Sequence, residues 1–178
     1  EKELSICLSV KQKEAVRKAF ACPVSIITGG PGTGKTTIQK VLLYINEHTE
    51  KRTVLLTAPT GRASRRMAES TGHDGSSTMH SALGLGMEEE EGAGFDFLEA
   101  GFILADEFSM VDMRLAYEFF SRIHSGTRLV LIGDVDQLPS VGPGSVFREL
   151  INGCAIPVTV LGLVHRQKEG GRMIENAK

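Results

Sequence analysis

No apolar run in this chain approaches the ~18 residues needed to span a bilayer, and no apolar segment follows a basic stretch near Glu1-Lys2-Glu3-Leu4. Neither a membrane partner nor a secretory signal is therefore expected. Cysteine is scarce. Cys7, Cys22 and Cys154 are far apart, odd in number and form no Cys-x-x-Cys, which argues against a disulfide framework or a thiolate metal site and makes a reducing cytoplasm the expected location. A strong charge of either sign is also missing. The net charge of -2 does not advertise nucleic-acid binding, although a local basic face would be sufficient for it. Internal repeats and linkers are absent too, so the 178 residues predict one domain, 1–178, with a sizeable core.

What is present is an alternation of apolar runs and amphipathic segments. Ser9 reads as the N-cap of a helix over 11–21 with Val10, Ala15, Val16 and Ala19 on its apolar side. The β-branched run 24–28 predicts a strand, and a glycine-rich turn leads from it into a helix over 36–48 bearing Ile38, Val41, Leu42 and Ile45. A strand over 53–57, a turn at Pro59-Thr60-Gly61 and a helix over 62–70 follow. Residues 71–77 read as a loop, 78–83 as a short helix and the acidic run Glu88–Glu91 as a solvated segment. Strands are expected at 102–105, 128–132 and 158–161. Helices are expected at 112–124, with Met113, Ala116, Phe120 and Ile123 on one side, at 145–151, and from about Gly171. Continuous apolar strands alternating with helices imply an α/β fold of three layers, with a mostly parallel central sheet covered on both faces. Ligands of such sheets bind beyond the carboxyl ends of the strands.

Gly29-Gly30-Pro31-Gly32-Thr33-Gly34-Lys35-Thr36 fits the phosphate-binding pattern G-x-x-x-x-G-K-[ST] in its strand-to-helix context. The glycines let backbone N–H groups turn toward phosphate oxygens, and the helix N-terminus adds positive potential. Lys35 is expected to reach the β- and γ-phosphates, and the Thr36 hydroxyl to ligate Mg²⁺. Asp106-Glu107 ends an apolar strand, where Asp106 would hold Mg²⁺ and Glu107 would orient or deprotonate an attacking water. At the next strand end, Gly133-Asp134-Val135-Asp136-Gln137 offers in Gln137 a neutral amide that can sense a γ-phosphate, while Asp134 could be only a turn residue.

Together these motifs resemble the first motor domain of superfamily 1 DNA helicases of the RecD type, the alpha subunit of exodeoxyribonuclease V. Leu8-Ser9-x-x-Gln12-Lys13 is similar to the family's adenine-reading Q motif, with Gln12 as the reader. Gly29 through Thr37 matches its motif I, and Ala58-Pro59-Thr60-Gly61-Arg62-Ala63 its motif Ia. Ser77-Thr78-Met79-His80 is similar to the next DNA-side segment. Asp106-Glu107-Phe108-Ser109-Met110 matches motif II, with Phe108 where a small residue is more usual. Gly133 through Val141 resembles motif III, and Val164-His165-Arg166-Gln167 motif IV, where the family carries an arginine near the γ-phosphate. The resemblance covers essentially the whole chain. It implies a RecA-like P-loop NTPase fold with ATP and Mg²⁺ as cofactors, cradled by Gln12, Gly30, Pro31, Gly32, Thr33, Gly34, Lys35, Thr36 and Thr37. It also implies 5′-to-3′ movement on single-stranded DNA in recombination and repair, with other subunits of a helicase–nuclease complex as partners.

The residues agree in part. Thr60 and Gly61, between a strand and a helix, suit a DNA phosphate. Arg62, Arg65 and Arg66 fall at i, i+3 and i+4 and could form an electrostatic track or only a solvated basic face. His80 could stack on DNA or pack internally, and Thr78 belongs to the same segment. The family's second motor domain does not follow Arg166 within the chain, so the sequence reads as a piece of a longer protein whose isolated domain turns over weakly or not at all. Two other readings stay open: the motor of a conjugative relaxase-helicase, and a nucleotide-gated DNA-binding module without unwinding activity.

Overall fold

The computed structural model describes residues 6–85, 96–137, 140 and 142–162. The acidic run Glu88–Glu91, the motif III positions Leu138, Pro139 and Val141, the segment Val164–Gln167 with Arg166, and the helix expected from Gly171 lie outside the described residues.

The chain runs α1 (Val10–Ala21), β1 (Val24–Gly29), α2 (Lys35–Ile45), β2 (Val54–Ala58), α3 (Gly61–Thr71), β3 (Ser76–Thr78), α4 (Met79–Ala82), β4 (Phe102–Ala105), α5 (Met113–Ser121), β5 (Arg128–Gly133), α6 (Val146–Asn152) and β6 (Val158–Leu161). The six strands form one sheet in the order β3-β2-β4-β5-β1-β6, and every pairing is parallel. Alternate strand residues feed opposite faces. Ile26, Ile103, Leu129 and Leu131 pack with α4, α5 and α6 through Met79, Phe119 and Phe147. Ile27, Phe102, Leu104, Val130 and Ile132 pack with α1, α2 and α3 through Ala19, Ile38, Leu42 and Met67. A strand that is buried on both faces is apolar along most of its length, which is why these runs do not alternate regularly with polar residues, although Ser25, Thr28 and Thr57 are also buried. The result is the three-layer α/β fold of P-loop NTPases.

Local signals explain most boundaries. Ser9 caps α1 through a reciprocal capping box with Gln12. Thr60, Thr78 and Asp112 cap α3, α4 and α5 by accepting from the backbone of Ala63, Ser81 and Leu115.

Four expectations need correction. Residues 76–78 are not loop but the edge strand β3, paired with β2 from Leu56↔Ser76 to Ala58↔Thr78; three polar residues carry no hydrophobic periodicity to announce a strand. The helix expected over 36–48 leaves α geometry after Ile45 and closes in a π-turn, Asn46–Glu50, where the buried Asn46 side chain donates to the Arg52 carbonyl at 2.9 Å. The helix expected over 112–124 ends at Ser121, and its buried side is Leu115, Ala116 and Phe119 while Met113 is exposed. Val10 begins α1 but points to solvent, leaving Ala15 and Ala19 as the buried face.

Candidate functional site

All the motif segments gather at the carboxyl edge of the sheet. β1 ends at Gly29, where the phosphate-binding loop begins, and β4 ends at Ala105, next to Asp106. β5 ends at Gly133, before Asp134, and β2 ends at Ala58, before Pro59-Thr60. Gly32 and Gly34 adopt left-handed φ values of 75° and 89°, which turn the loop into the helix without a Cβ penalty. Gly34 is doubly constrained, because a Cβ there would lie 2.1 Å from the Gln12 side-chain nitrogen. α2 starts at Lys35 with no side chain capping it, so its first-turn N–H groups remain available for an anion.

Gln12 is buried beneath this loop. Its Oε1 accepts from the Ser9 backbone N–H at 2.9 Å, and its Nε2 donates to the Thr33 carbonyl at 3.2 Å. The expected adenine reader therefore also ties α1 to the phosphate loop. The Thr33 hydroxyl donates to the Gly30 carbonyl at 2.8 Å, and the Thr37 hydroxyl lies beside Gly34. Pro31 and Gly32 form the exposed tip. Lys35 Nζ donates to the Gly29 carbonyl and, at 3.3 Å, to the Gly30 carbonyl; phosphate oxygens would compete with these carbonyls for the ammonium.

A cavity of about 450 Å³ is lined by Lys35, Thr36, Ala63, Arg66, Met67, Glu69, Ser70, Asp106 and Glu107. It brings together the expected catalytic lysine, both expected metal ligands and the expected catalytic carboxylate. Asp106 Oδ2 accepts from Gln39 Nε2 at 2.7 Å, and Oδ1 accepts from the Glu107 backbone N–H at 2.8 Å. Burial pushes the Asp106 carboxyl above the ordinary aspartate range, against the opposing pull of Gln39, the Glu107 amide and Lys35. Glu107 is pushed upward as well, first by burial and then by the neighbouring Asp106 charge, with Lys35 and Arg66 acting the other way. Its Oε2 is buried without a hydrogen-bond partner. Its backbone is held at φ 51°, ψ 35°, a left-handed conformation that is uncommon for glutamate and typical of functional sites.

These features fit a phosphate–Mg²⁺ group. Two carboxyls are crowded together, one buried oxygen lacks a donor, and the first-turn N–H groups of α2 are uncapped. Among the described residues no cluster of three or more His, Cys, Asp or Glu side chains could hold a metal by itself. Such a site suits Mg²⁺, which relies on one or two protein ligands together with phosphates and water.

Gln137 is not brought to this cavity. It lines a separate recess of about 20 Å³ with Ser109, Val135, Ser145, Phe147 and Arg148. Asp134 is buried and forms a turn in which its Oδ1 accepts from the Asp136 N–H at 3.1 Å. Its other oxygen lies 3.9 Å from where a Gly30 Cβ would stand.

A second cavity of about 610 Å³ opens on the DNA-side motifs and is lined by Pro59, Thr60, His80, Leu85, Met110, Asp112, Arg114, Leu115, Glu118 and Gly142. Thr60 and Thr78 each accept a backbone N–H through Oγ1, at 3.2 and 3.1 Å, which leaves each hydroxyl proton free to donate. The Thr78 methyl group lies 4.0 Å from where a Gly61 Cβ would stand, and Gly61, Arg62 and His80 are exposed.

A family model described as AAA domain matches residues 12–143. The chain belongs to this family. It is 36% identical over 163 residues to the RecBCD enzyme subunit RecD of Haemophilus influenzae, covering 78% of this chain and 26% of that protein. It is 35% identical over 175 residues to the ATP-dependent RecD2 DNA helicase of Deinococcus radiodurans, covering 96% and 23% respectively. The crystal structure of Pif1 helicase from Candida albicans superimposes with a TM-score of 0.62 at 26% identity, covering 88% of this chain and 39% of that one. The chain thus spans about a quarter of the length of these curated relatives.

Within this AAA domain, sequence reasoning passed over two residues. Gln39 anchors Asp106; its signal was a polar residue beside the apolar stripe Ile38, Val41 and Leu42. Arg66, read with Arg62 and Arg65 as a track or a solvated basic face, also lines the cavity that holds Glu107, a placement the spacing did not announce. Among the described residues no helix is long and apolar enough to cross a membrane.

Proposed function

We propose that this chain is the ATP-binding motor domain of a RecD-type DNA helicase, coupling ATP hydrolysis to 5′-to-3′ movement on single-stranded DNA in recombination and repair. The observation that carries the reading is the shared frame of two cavities. One holds Lys35, Thr36, Asp106 and Glu107, the other holds Thr60 and His80, and α3 contributes to the first while its N-cap Thr60 contributes to the second.

Thr36 and Asp106, the latter fixed by Gln39, would hold Mg²⁺ in the first cavity, where the ion would supply positive charge against the charge that develops on the phosphates. Lys35 moves from the loop carbonyls to the β- and γ-phosphates. Gln12, Gly30, Pro31, Gly32, Thr33, Gly34 and Thr37 shape the cradle, with Gln12 facing adenine. Glu107 takes the proton of the attacking water at its carboxylate, and Gln137 responds to the γ-phosphate at the end of β5. Arg166 adds positive charge at the transition state. On the DNA side, Thr60, Gly61 and Thr78 donate to backbone phosphates, Arg62 supplies counter-charge, and His80 stacks on a base over the apolar floor of Leu85 and Met110. The RecD relative is named as a subunit of RecBCD, which makes a helicase–nuclease assembly in the cytoplasm the partner class to look for.

The test is single-strand-stimulated ATPase activity of the full-length protein. Stimulation of wild type is expected. Lys35→Ala should lose nucleotide affinity, and Glu107→Gln should keep it while slowing turnover by roughly a hundredfold or more. Normal ATP binding by Lys35→Ala would defeat the site assignment, and a wild type indifferent to single strands would favour a nucleotide-gated binding module.

A further inference from the structure

Arg66 has no place among the roles given above. Five residues of α3 line the catalytic cavity: Ala63, Arg66, Met67 and Ser70 recur at i, i+3, i+4 and i+7 as one helical stripe, and Glu69 stands beside them, three positions from Arg66. Met67 on that stripe is fully buried against the sheet, in the cluster that contains Leu56 and Leu104. Its burial fixes the rotation of the helix and thereby places the exposed Arg66 at the rim of the cavity. Arg66 and Glu107 line this same cavity, and the Glu107 Oε2 is buried and has no hydrogen-bond donor. Among the described residues Arg66 forms no ion pair or hydrogen bond of its own. Thr60 caps the other end of the same helix and lines the DNA-side cavity. Thr60 and Arg66 are thus about 9 Å apart along one rigid element, at ~1.5 Å per residue.

We propose that Arg66 is a positioning residue for Glu107: when a DNA phosphate occupies the Thr60 end of α3, the helix carries the Arg66 guanidinium onto the carboxylate in the catalytic cavity. The inference rests on the motor reading above and deepens it. A single strand bound at Thr60 and Gly61 engages the first turn of α3. Any small rotation or slide of that helix moves Arg66 with it, because Met67 and the cap leave α3 little internal freedom. The guanidinium then brings Glu107 into the geometry for water activation, and hydrolysis quickens only when DNA is in place.

Steady-state ATPase of the full-length protein with and without single-stranded oligonucleotide tests this, with oligonucleotide affinity measured by anisotropy over a range of salt. Arg66→Gln is expected to lower the DNA-stimulated kcat by on the order of tenfold to a hundredfold, the usual cost of a misplaced catalytic group. KM for ATP, DNA affinity and its salt slope should change by less than about twofold. Arg66→Lys, which keeps the charge, should restore a substantial part of kcat. Arg62→Gln provides the comparison for a phosphate contact and should weaken DNA binding. A stimulated wild type with an equally stimulated Arg66→Gln would overturn the inference alone. Loss of DNA affinity and a shallower salt slope in Arg66→Gln would overturn it by returning Arg66 to the basic track. Absence of stimulation in wild type would overturn the motor reading itself and this inference with it.

Discussion

Gln12 and Thr33, 21 positions apart, are joined by a hydrogen bond from the buried Gln12 Nε2 to the Thr33 carbonyl at 3.2 Å, while Gln12 Oε1 takes the Ser9 N–H. One side chain therefore closes the N-terminal capping box of α1 and pins the phosphate-binding loop. Removing it as Gln12→Ala deletes half of the capping box, worth about 1 kcal/mol, and leaves the Thr33 carbonyl short of a donor, at about 0.5–1.5 kcal/mol. The expected outcome is a melting temperature lower by several degrees together with weaker ATP binding. Gln12→Glu places an acceptor where Nε2 stood, so it should be destabilised at neutral pH and recover in mild acid as the carboxyl gains a proton. Thermal melts of both variants across pH check this, and an unchanged melting temperature for Gln12→Ala would show that the tether is idle.

Glu107 combines two local costs, a left-handed backbone at φ 51° and a buried Oε2 without a donor. The first costs a non-glycine residue roughly 1 kcal/mol, and the second about 1–3 kcal/mol. Glu107→Gly relieves both, and is expected to raise the melting temperature while abolishing turnover, a trade of stability against activity. Calorimetry beside an ATPase assay decides it. A Glu107→Gly protein less stable than wild type would mean that the conformation at this strand end is not strained.

The legible part of this molecule was whatever a single residue type or period dictates. Ser9 spelled a capped helix, and Val24–Thr28 followed by glycines spelled a strand entering a phosphate loop. Both hold because their physics is local. β3 was illegible because Ser76-Ser77-Thr78 draws its strand character from pairing with β2 rather than from its own pattern. The place of Arg66 at the cavity was illegible for a related reason: spacing puts three arginines on one side of α3, but the burial of Met67 decides which of them meets the cavity. Gln137 sat one strand end from the phosphate loop in sequence logic, yet its recess with Ser109 and Arg148 is formed by α6 and the turn after β4, contacts that no spacing encodes.

Asp106 and Glu107 also set a pH dependence. In the folded protein both carboxyls hold their protons above the ordinary range, Asp106 through burial and Glu107 through burial and then Asp106. The folded state therefore binds more protons than the unfolded chain between the ordinary carboxylate range and the raised values, and stability falls as pH rises through that window. In a metal chelator, Asp106→Asn, which keeps the shape, can accept from the Glu107 N–H through its amide oxygen and can donate its amide N–H to Gln39 Oε1 once that side chain flips, should gain on wild type as pH rises above the ordinary carboxylate range. Adding Mg²⁺ with nucleotide should then stabilise wild type more than the variant. Parallel pH profiles for the two proteins would remove burial of this carboxylate as a cost.

Phe108 is where motif II departs from the family's usual small residue, and the core explains the departure. Its ring is fully buried and stands 6.0, 5.8 and 6.2 Å from those of Phe119, Phe120 and Phe147. It fills the space between α5, α6 and the strand end that carries Glu107. Phe108→Ser, the change toward the family pattern, opens a cavity and buries a hydroxyl. It should cost about 3–5 kcal/mol, a fall in melting temperature of roughly 2–4 °C for each of those kcal/mol in a domain of this size. Phe108→Leu keeps most of the volume and should cost clearly less. Because Phe108 follows Glu107 directly, the serine variant should also lose turnover below its melting temperature, as the collapsed pocket lets the strand end shift, whereas its nucleotide affinity, set mainly by the loop after β1, two strands along the same sheet edge, should fall less. Denaturant unfolding of both variants, with ATP affinity measured beside kcat, checks this. A Phe108→Ser protein as stable as wild type would mean that Phe119, Phe120 and Phe147 can close the gap themselves, and that the bulky residue in motif II is neutral rather than required by its surroundings.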